Sequence, residues 1–127
     1  MHILIVDDKQ PVREKIATLL SKLGYTFECA NNGLDALEKA QSDAFNLYII
    51  DHLMPVMNGI KLIANLKSKQ VTSQVPIIFM STQDINTLEH VAELKLIEQV
   101  ISKPIDEKLI SQLLKQLLVE NSLAHSL

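Results

Sequence analysis

The chain has one cysteine, no basic surplus and no long apolar run, and each shortage excludes a class of protein. Cys29 has no second cysteine to pair with, so no internal disulfide staples the fold, which suits a reducing cytoplasm. Twelve lysines and arginines against fifteen acids give a formal charge of −3, with no electrostatic pull toward nucleic acid or an anionic membrane. Any action on DNA therefore needs basic surface from another domain. No apolar stretch reaches the ~18 residues of a membrane span, and the run in MHILIVDDK is too short for a signal peptide. Repeats, low-complexity tracts and interior linkers are also missing. What remains is 127 residues, 47% apolar and 21% charged, enough for one soluble domain with a real core.

Strand-like and helix-like patterns alternate along that length. Residues 2–7 form a continuous aliphatic run, the pattern of a strand buried on both faces. Val12, Ile16, Leu19, Leu20 and Leu23 recur at helical spacing over 11–23, and Gly24 is placed as a C-cap. A strand over 25–30, a turn at Asn31-Asn32-Gly33 and a helix on Leu34, Leu37 and Ala40 follow. The third strand is 47–50 and the third helix carries Ile60, Ile63, Ala64 and Leu66. Pro76 opens strand four, a fourth helix is expected over 84–95, and a short strand five over 98–102. Asp106 is the expected N-cap of a last helix bearing Leu109, Ile110, Leu113, Leu114, Leu117 and Leu118. That stripe is richer than one buried face requires, so it predicts core plus one exposed seam. Alternation of this kind implies right-handed crossovers and a single doubly wound α/β sheet, five parallel strands with five helices. The domain is expected over residues 1–120, with 121–127 as a tail or the start of a linker.

Five polar residues stand where the strand runs stop: Asp7, Asp8, Asp51, Ser81 and Lys103. In an open parallel sheet, the carboxyl ends of the strands are where ligands bind. Clustered carboxylates resist ionisation unless a cation lies between them, and a hard divalent ion such as Mg²⁺ resolves that conflict. Asp7 and Asp8 alone would equally serve as a strand cap; the matching Asp51 favours the site. Asp51 is the candidate nucleophile, because aspartyl carboxylates form acyl phosphates. Lys103 and Ser81 supply the charge and hydroxyl to hold phosphoryl oxygens.

The ordered set DD (Asp7-Asp8), D-x-x-M-P-x-M-x-G (Asp51 to Gly59), P-I-I-x-x-S (Pro76 to Ser81) and K-P (Lys103-Pro104) resembles the receiver domain of two-component response regulators. The resemblance covers essentially the whole chain. It implies a flavodoxin-like fold with strand order 2-1-3-4-5 and a cis Lys103–Pro104 bond. It implies Asp51 as phosphoacceptor, charged by a sensor histidine kinase or a phosphotransfer protein, and Ser81 and Lys103 holding the phosphoryl group. It implies Mg²⁺ on Asp8, Asp51 and the backbone carbonyl of Leu53, with Asp7 reaching it through water. A homodimer through helix four, strand five and helix five, and an output domain outside this chain, belong to the same expectation. So does a protein that accepts phosphate on its own aspartate rather than converting a separate substrate.

The chain departs from the family pattern in places. Val100 stands where the family carries a switching aromatic, and valine is stiff at χ1. Ser81 replaces the commoner Thr, Thr82 a smaller Ala, and Leu96-Ile97 the usual Gly-Ala. Leu53 and Gln83 occupy the two positions that tune the lifetime of the acyl phosphate. Leu53 cannot orient an attacking water, whereas Gln83 has the polar group to do so, and the expectation is a lifetime longer than seconds. His52 is placed to tune access to Asp51; His2, His90 and His125 lack metal-ligand spacing. A degenerate receiver acting as a phosphorylation-independent interaction module stands as the alternative. An aspartyl-nucleophile phosphatase or dehalogenase would want a second acid where Leu53 stands. An FMN binder would have its phosphate repelled by Asp7-Asp8.

Overall fold

Strands made of unbroken aliphatic runs have no solvent face, so each must be covered on both sides. The computed structural model describes residues 1–83 and 91–126, with side chains as far as Leu118. In chain order its elements are β1 (His2–Val6), α1 (Gln10–Lys22), β2 (Thr26–Ala30), α2 (Gly33–Ser42), β3 (Leu47–Asp51), α3 (Gly59–Lys67), α4 (Gln70–Ser73), β4 (Ile77–Ser81), β5 (Gln99–Ser102) and α5 (Glu107–Ser126). All five strands are parallel, in the order β2-β1-β3-β4-β5.

The two-residue period of the strands divides the core in two. Leu4, Val6, Tyr48, Ile50, Ile77 and Phe79 face one way and pack on Ala36, Leu37 and Ala40 of α2 and Leu62, Ile63 and Leu66 of α3. Ile3, Ile5, Leu47, Ile49, Ile78, Met80 and Ile101 face the other way, onto Ile16 and Leu20 of α1 and the apolar side of α5. At ~25 cal/mol per Å² of apolar area, two such layers supply the bulk of the folding drive.

Local chemistry sets the helix ends. Gly24 adopts φ 84°, its N–H donates to Ser21 O and that of Tyr25 to Leu20 O, a Schellman closure of α1. Asn32 accepts from Asp35 N at the start of α2, and Asn58 from Lys61 N at the start of α3. Asp106 accepts from Lys108 N and Leu109 N, as its N-cap assignment requires. The Lys103–Pro104 bond is cis.

The structure adds to these expectations between α3 and β5 and along α5. The fourth helix expected over 84–95 falls mostly outside the described residues, and its described end is a 3-10 turn at Ala92–Leu96. A short α4 that no apolar period announces sits between α3 and β4; the buried Thr72 hydroxyl anchors it by donating to Leu66 O at 2.6 Å. The leucine stripe on α5 is core with one exposed member: Ile110, Leu113, Leu114, Leu117 and Leu118 are buried and Leu109 is exposed. The helix runs on through 121–126, within the stretch expected as a tail or the start of a linker.

One strained residue lies in the loop after β3. Val56 sits at φ 69°, a left-handed conformation that costs an L residue about 1–2 kcal/mol, and its side chain is exposed. Val56→Asn, which tolerates that region, is expected to stabilise the domain by about 1 kcal/mol. Urea denaturation checks this, and an unchanged or lower midpoint would count against strain at Val56.

Candidate functional site

Strands β1, β3 and β4 end side by side, and the polar residue ending each run is held there by the layers below. Asp7 and Asp51 follow or finish strands whose apolar residues are fully buried, so their carboxylates are carried into the fold; both are buried, as is Ser81. Gly59 fixes the loop that leaves β3. Its N–H donates to His52 O at 2.8 Å, and its Cα lies so close to the Asp51 carbonyl that a Cβ would collide with it. Only glycine permits that approach.

Lys103 reaches across from the end of β5. Its Nζ donates to Asp7 Oδ2 at 2.8 Å and lies 2.9 Å from Asp51 Oδ1, so one ammonium serves two buried carboxylates. Asp7 Oδ1 accepts from Lys9 N at 2.9 Å, which satisfies both oxygens of Asp7. Asp51 differs: its Oδ2 is buried with no hydrogen-bond partner among the described residues. Burial is the main cause that raises the Asp51 carboxyl above its ordinary value; Lys103 opposes this and the Asp7 charge adds to it. Burial works against the Lys103 charge too, but the two carboxylates outweigh it and its pKa is raised.

Asp8 is half-buried beside them, with Lys9 Nζ 3.2 Å from its Oδ1. One carboxylate oxygen each from Asp7, Asp8 and Asp51 lie within 4.8 Å of one another. An all-oxygen donor set and a buried, unpartnered carboxylate oxygen suit a hard divalent cation, so the residues present fit Mg²⁺. Above them opens a cavity of about 450 Å³, lined among others by Lys9, Asp51, His52, Leu53, Thr82, Lys103 and Pro104. Leu53 and Thr82 are exposed at it.

The Ser81 hydroxyl contacts two groups outside the carboxylate cluster. Its Oγ lies 3.0 Å from His52 Nδ1 and accepts from Gln83 N at 3.0 Å. Burial lowers the His52 pKa, against a partial opposing pull from Asp51, and its ring packs obliquely on Phe79 at 5.2 Å.

Over residues 3–115 the chain matches the family described as response regulator receiver domain. The chain belongs to that family. This receiver is 32% identical over 117 residues to the transcriptional regulatory protein CpxR homolog of Haemophilus influenzae, covering 91% of this chain and 49% of that one. Protein PilH of Pseudomonas aeruginosa is 30% identical over 107 residues, covering 84% of this chain and 88% of PilH. Chemotaxis protein CheY4 of Vibrio cholerae has a similar structure, with TM-score 0.84 at 26% identity and coverage of 92% of this chain and 98% of that one. Response regulator TrrA of Thermotoga maritima, solved in complex with Mg²⁺ and BeF, scores 0.83 at 26% identity with the same coverages. The receiver spans about half of the CpxR homolog's length and 35% of response regulator MprA of Mycobacterium ulcerans. Proteins of this family act in two-component phosphorelay signalling, interact with histidine kinases or phosphotransfer proteins, typically bind Mg²⁺, and are generally not substrate-converting enzymes. No described helix of this receiver is long and apolar enough to cross a membrane.

Reading residues one at a time missed some of the receiver's site. Lys9 lies in the DDK run and contacts both acids; Arg13 Nη1 donates to Asp7 O at 2.7 Å. At the opposite end of the sheet His2, which lacks metal-ligand spacing in the sequence, stacks on Phe45 and pairs with Glu28 at 2.9 Å. No sequence spacing signals that contact, because its partners come from separate elements.

Proposed function

We propose that this receiver accepts a phosphoryl group on Asp51 from the phosphohistidine of a sensor kinase or phosphotransfer protein. The observation that carries it is the inequality of the buried carboxylates: both carboxylate oxygens of Asp7 are engaged, while Asp51 Oδ2 has no partner among the described residues and its residue lines the cavity. In the transfer, an Asp51 carboxylate oxygen forms the new O–P bond as the donor N–P bond breaks, and the electron pair leaves on the imidazole, which takes a proton from solvent. Lys103 balances charge on the phosphoryl oxygens, and the Ser81 hydroxyl donates to one of them. Asp8, Asp51 and the Leu53 carbonyl would hold Mg²⁺, with Asp7 behind them through water. The cation supplies charge neutralisation and orientation of the phosphoryl group.

The same reading makes the domain a phosphorylation-controlled binding module in the cytoplasm, with Asp51 its own substrate. Its output lies in a partner or in a domain outside this chain, as the half-length match to the CpxR homolog supports. A phosphorylation-dependent homodimer would use the segment 84–95, β5 and α5. Leu96 and Leu109 are the exposed large apolar groups described there. The absence of an acid at Leu53 disfavours a phosphatase.

Incubation with acetyl phosphate and Mg²⁺ tests the proposal: acid-labile phosphate should appear on the wild-type chain. Neither modification nor any shift in conformation or oligomeric state, with acetyl phosphate or beryllofluoride, would overturn it. With apolar, exposed Leu53 on one side of the site, the label is expected to persist longer than seconds. A chase in which it decays with a half-life of a few seconds rejects that lifetime.

A further inference from the structure

The hydroxyl that the phosphoryl group needs is already engaged. Ser81 Oγ accepts the Gln83 N–H, and its other short contact among the described residues is the Nδ1 of His52 at 3.0 Å. That imidazole is as buried as the core, 6% exposed, and is wedged against Phe79 on the side of the sheet that packs on α2 and α3. With Nδ1 as the acceptor nitrogen, Ser81 accepts from the backbone and donates its proton to the imidazole, whose second nitrogen carries the histidine's own hydrogen. A serine hydroxyl has one proton and cannot give it to His52 and to a phosphoryl oxygen together.

We propose that His52 is a positioning residue, a latch that holds Ser81 in the unphosphorylated arrangement and competes with the phosphoryl group for its hydroxyl. The latch rests on the phosphoacceptor reading of Asp51 and adds to it a named competitor. It also supplies the site with an outlet where Val100 offers no large aromatic. When Ser81 turns to the phosphoryl group, buried Nδ1 loses its partner and the ring must repack. Its neighbour Phe79 lies opposite Val100 in the β4–β5 register, which carries the change to the sheet edge.

Beryllofluoride, as a phosphoryl mimic, tests the latch when titrated in Mg²⁺ against four chains: wild type, His52→Phe, His52→Asn and His52→Phe in a Ser81→Ala background. His52→Phe removes the competitor and fills the space, so it should bind beryllofluoride about two- to tenfold more tightly, the worth of one hydrogen bond. Asparagine keeps an acceptor near the Nδ1 position and should restore wild-type affinity. With Ser81→Ala as the reference, His52→Phe should change nothing, because the hydroxyl it acts through is gone. Equal or weaker binding by His52→Phe overturns the latch, as does a gain that persists without the Ser81 hydroxyl. So does a gain matched by His52→Asn. If His52→Phe does not fold, His52→Leu carries the same expectations. A wild type that binds no beryllofluoride at all removes the phosphoacceptor reading and the latch with it. Binding by wild type with no response to His52 removes the latch alone.

Discussion

Replacing Asp51 by asparagine is expected to abolish acid-labile phosphate and, in the absence of metal, to raise the melting temperature. The first effect is complete, from a labelled chain to background, because the only buried carboxylate oxygen without a partner among the described residues is removed as a nucleophile. The second follows from the direction of the Asp51 pKa. Burial, with the Asp7 charge, raises it despite Lys103, so the folded state favours the protonated acid. A group shifted that way contributes stability fully below its unfolded value, and loses that contribution as pH rises through the folded value. At pH 7, above the unfolded value, the metal-free domain therefore carries a cost at Asp51, and the amide lifts it. Thermal melts in EDTA should show Asp51→Asn above wild type at pH 7, with the gap closing toward about pH 4, where the unfolded carboxyl titrates. Mg²⁺ should reverse the order by stabilising wild type more than the variant. A variant less stable than wild type in EDTA would refute the strained carboxylate. A variant still labelled with phosphate would show that Asp51 is not the acceptor.

Lys103→Met should be the most destabilising single change at the site. One ammonium, with its side chain only 10% exposed, is paired with both buried carboxylates, Asp7 and Asp51. Removing the cation from such a group strands buried like charges, a loss of about 3–5 kcal/mol, where an exposed pair would cost no more than about 1. The Lys103 pKa is raised, so its contribution is complete below the ordinary lysine value of 10.5 and is lost as pH rises through the folded value. The deficit of the methionine variant is thus present across the whole neutral range. Urea denaturation in EDTA measures it, and a loss below about 1 kcal/mol would mean the ion pairs are screened like surface ones. Added Mg²⁺ should recover part of the stability, since a cation among Asp7, Asp8 and Asp51 relieves the same repulsion. Phosphate-dependent conformational change should be lost even where stability recovers, because no residue replaces the charge on the phosphoryl oxygens.

Much of this protein is determined by its sequence alone, for a local reason. Unbroken aliphatic runs require strands covered on both faces, and Gly24, Asn32, Asn58 and Asp106 close helices through bonds a few residues long. The order Asp7-Asp8, Asp51, Ser81, Lys103 could be read because each residue directly follows or ends a strand run, and parallel strands bring those ends to one edge. The tertiary structure decided whatever depends on groups remote in the chain. It left Asp51 Oδ2 without a partner among the described residues while engaging both oxygens of Asp7, and it placed Ser81 against His52, 29 residues away. It also decided which member of the α5 stripe stays exposed, Leu109, because the helical period says how many apolar faces a helix has, not which of them neighbouring surface covers. Periodicity and capping act over one or two turns; hydrogen-bond competition among buried groups is settled only once the sheet has formed.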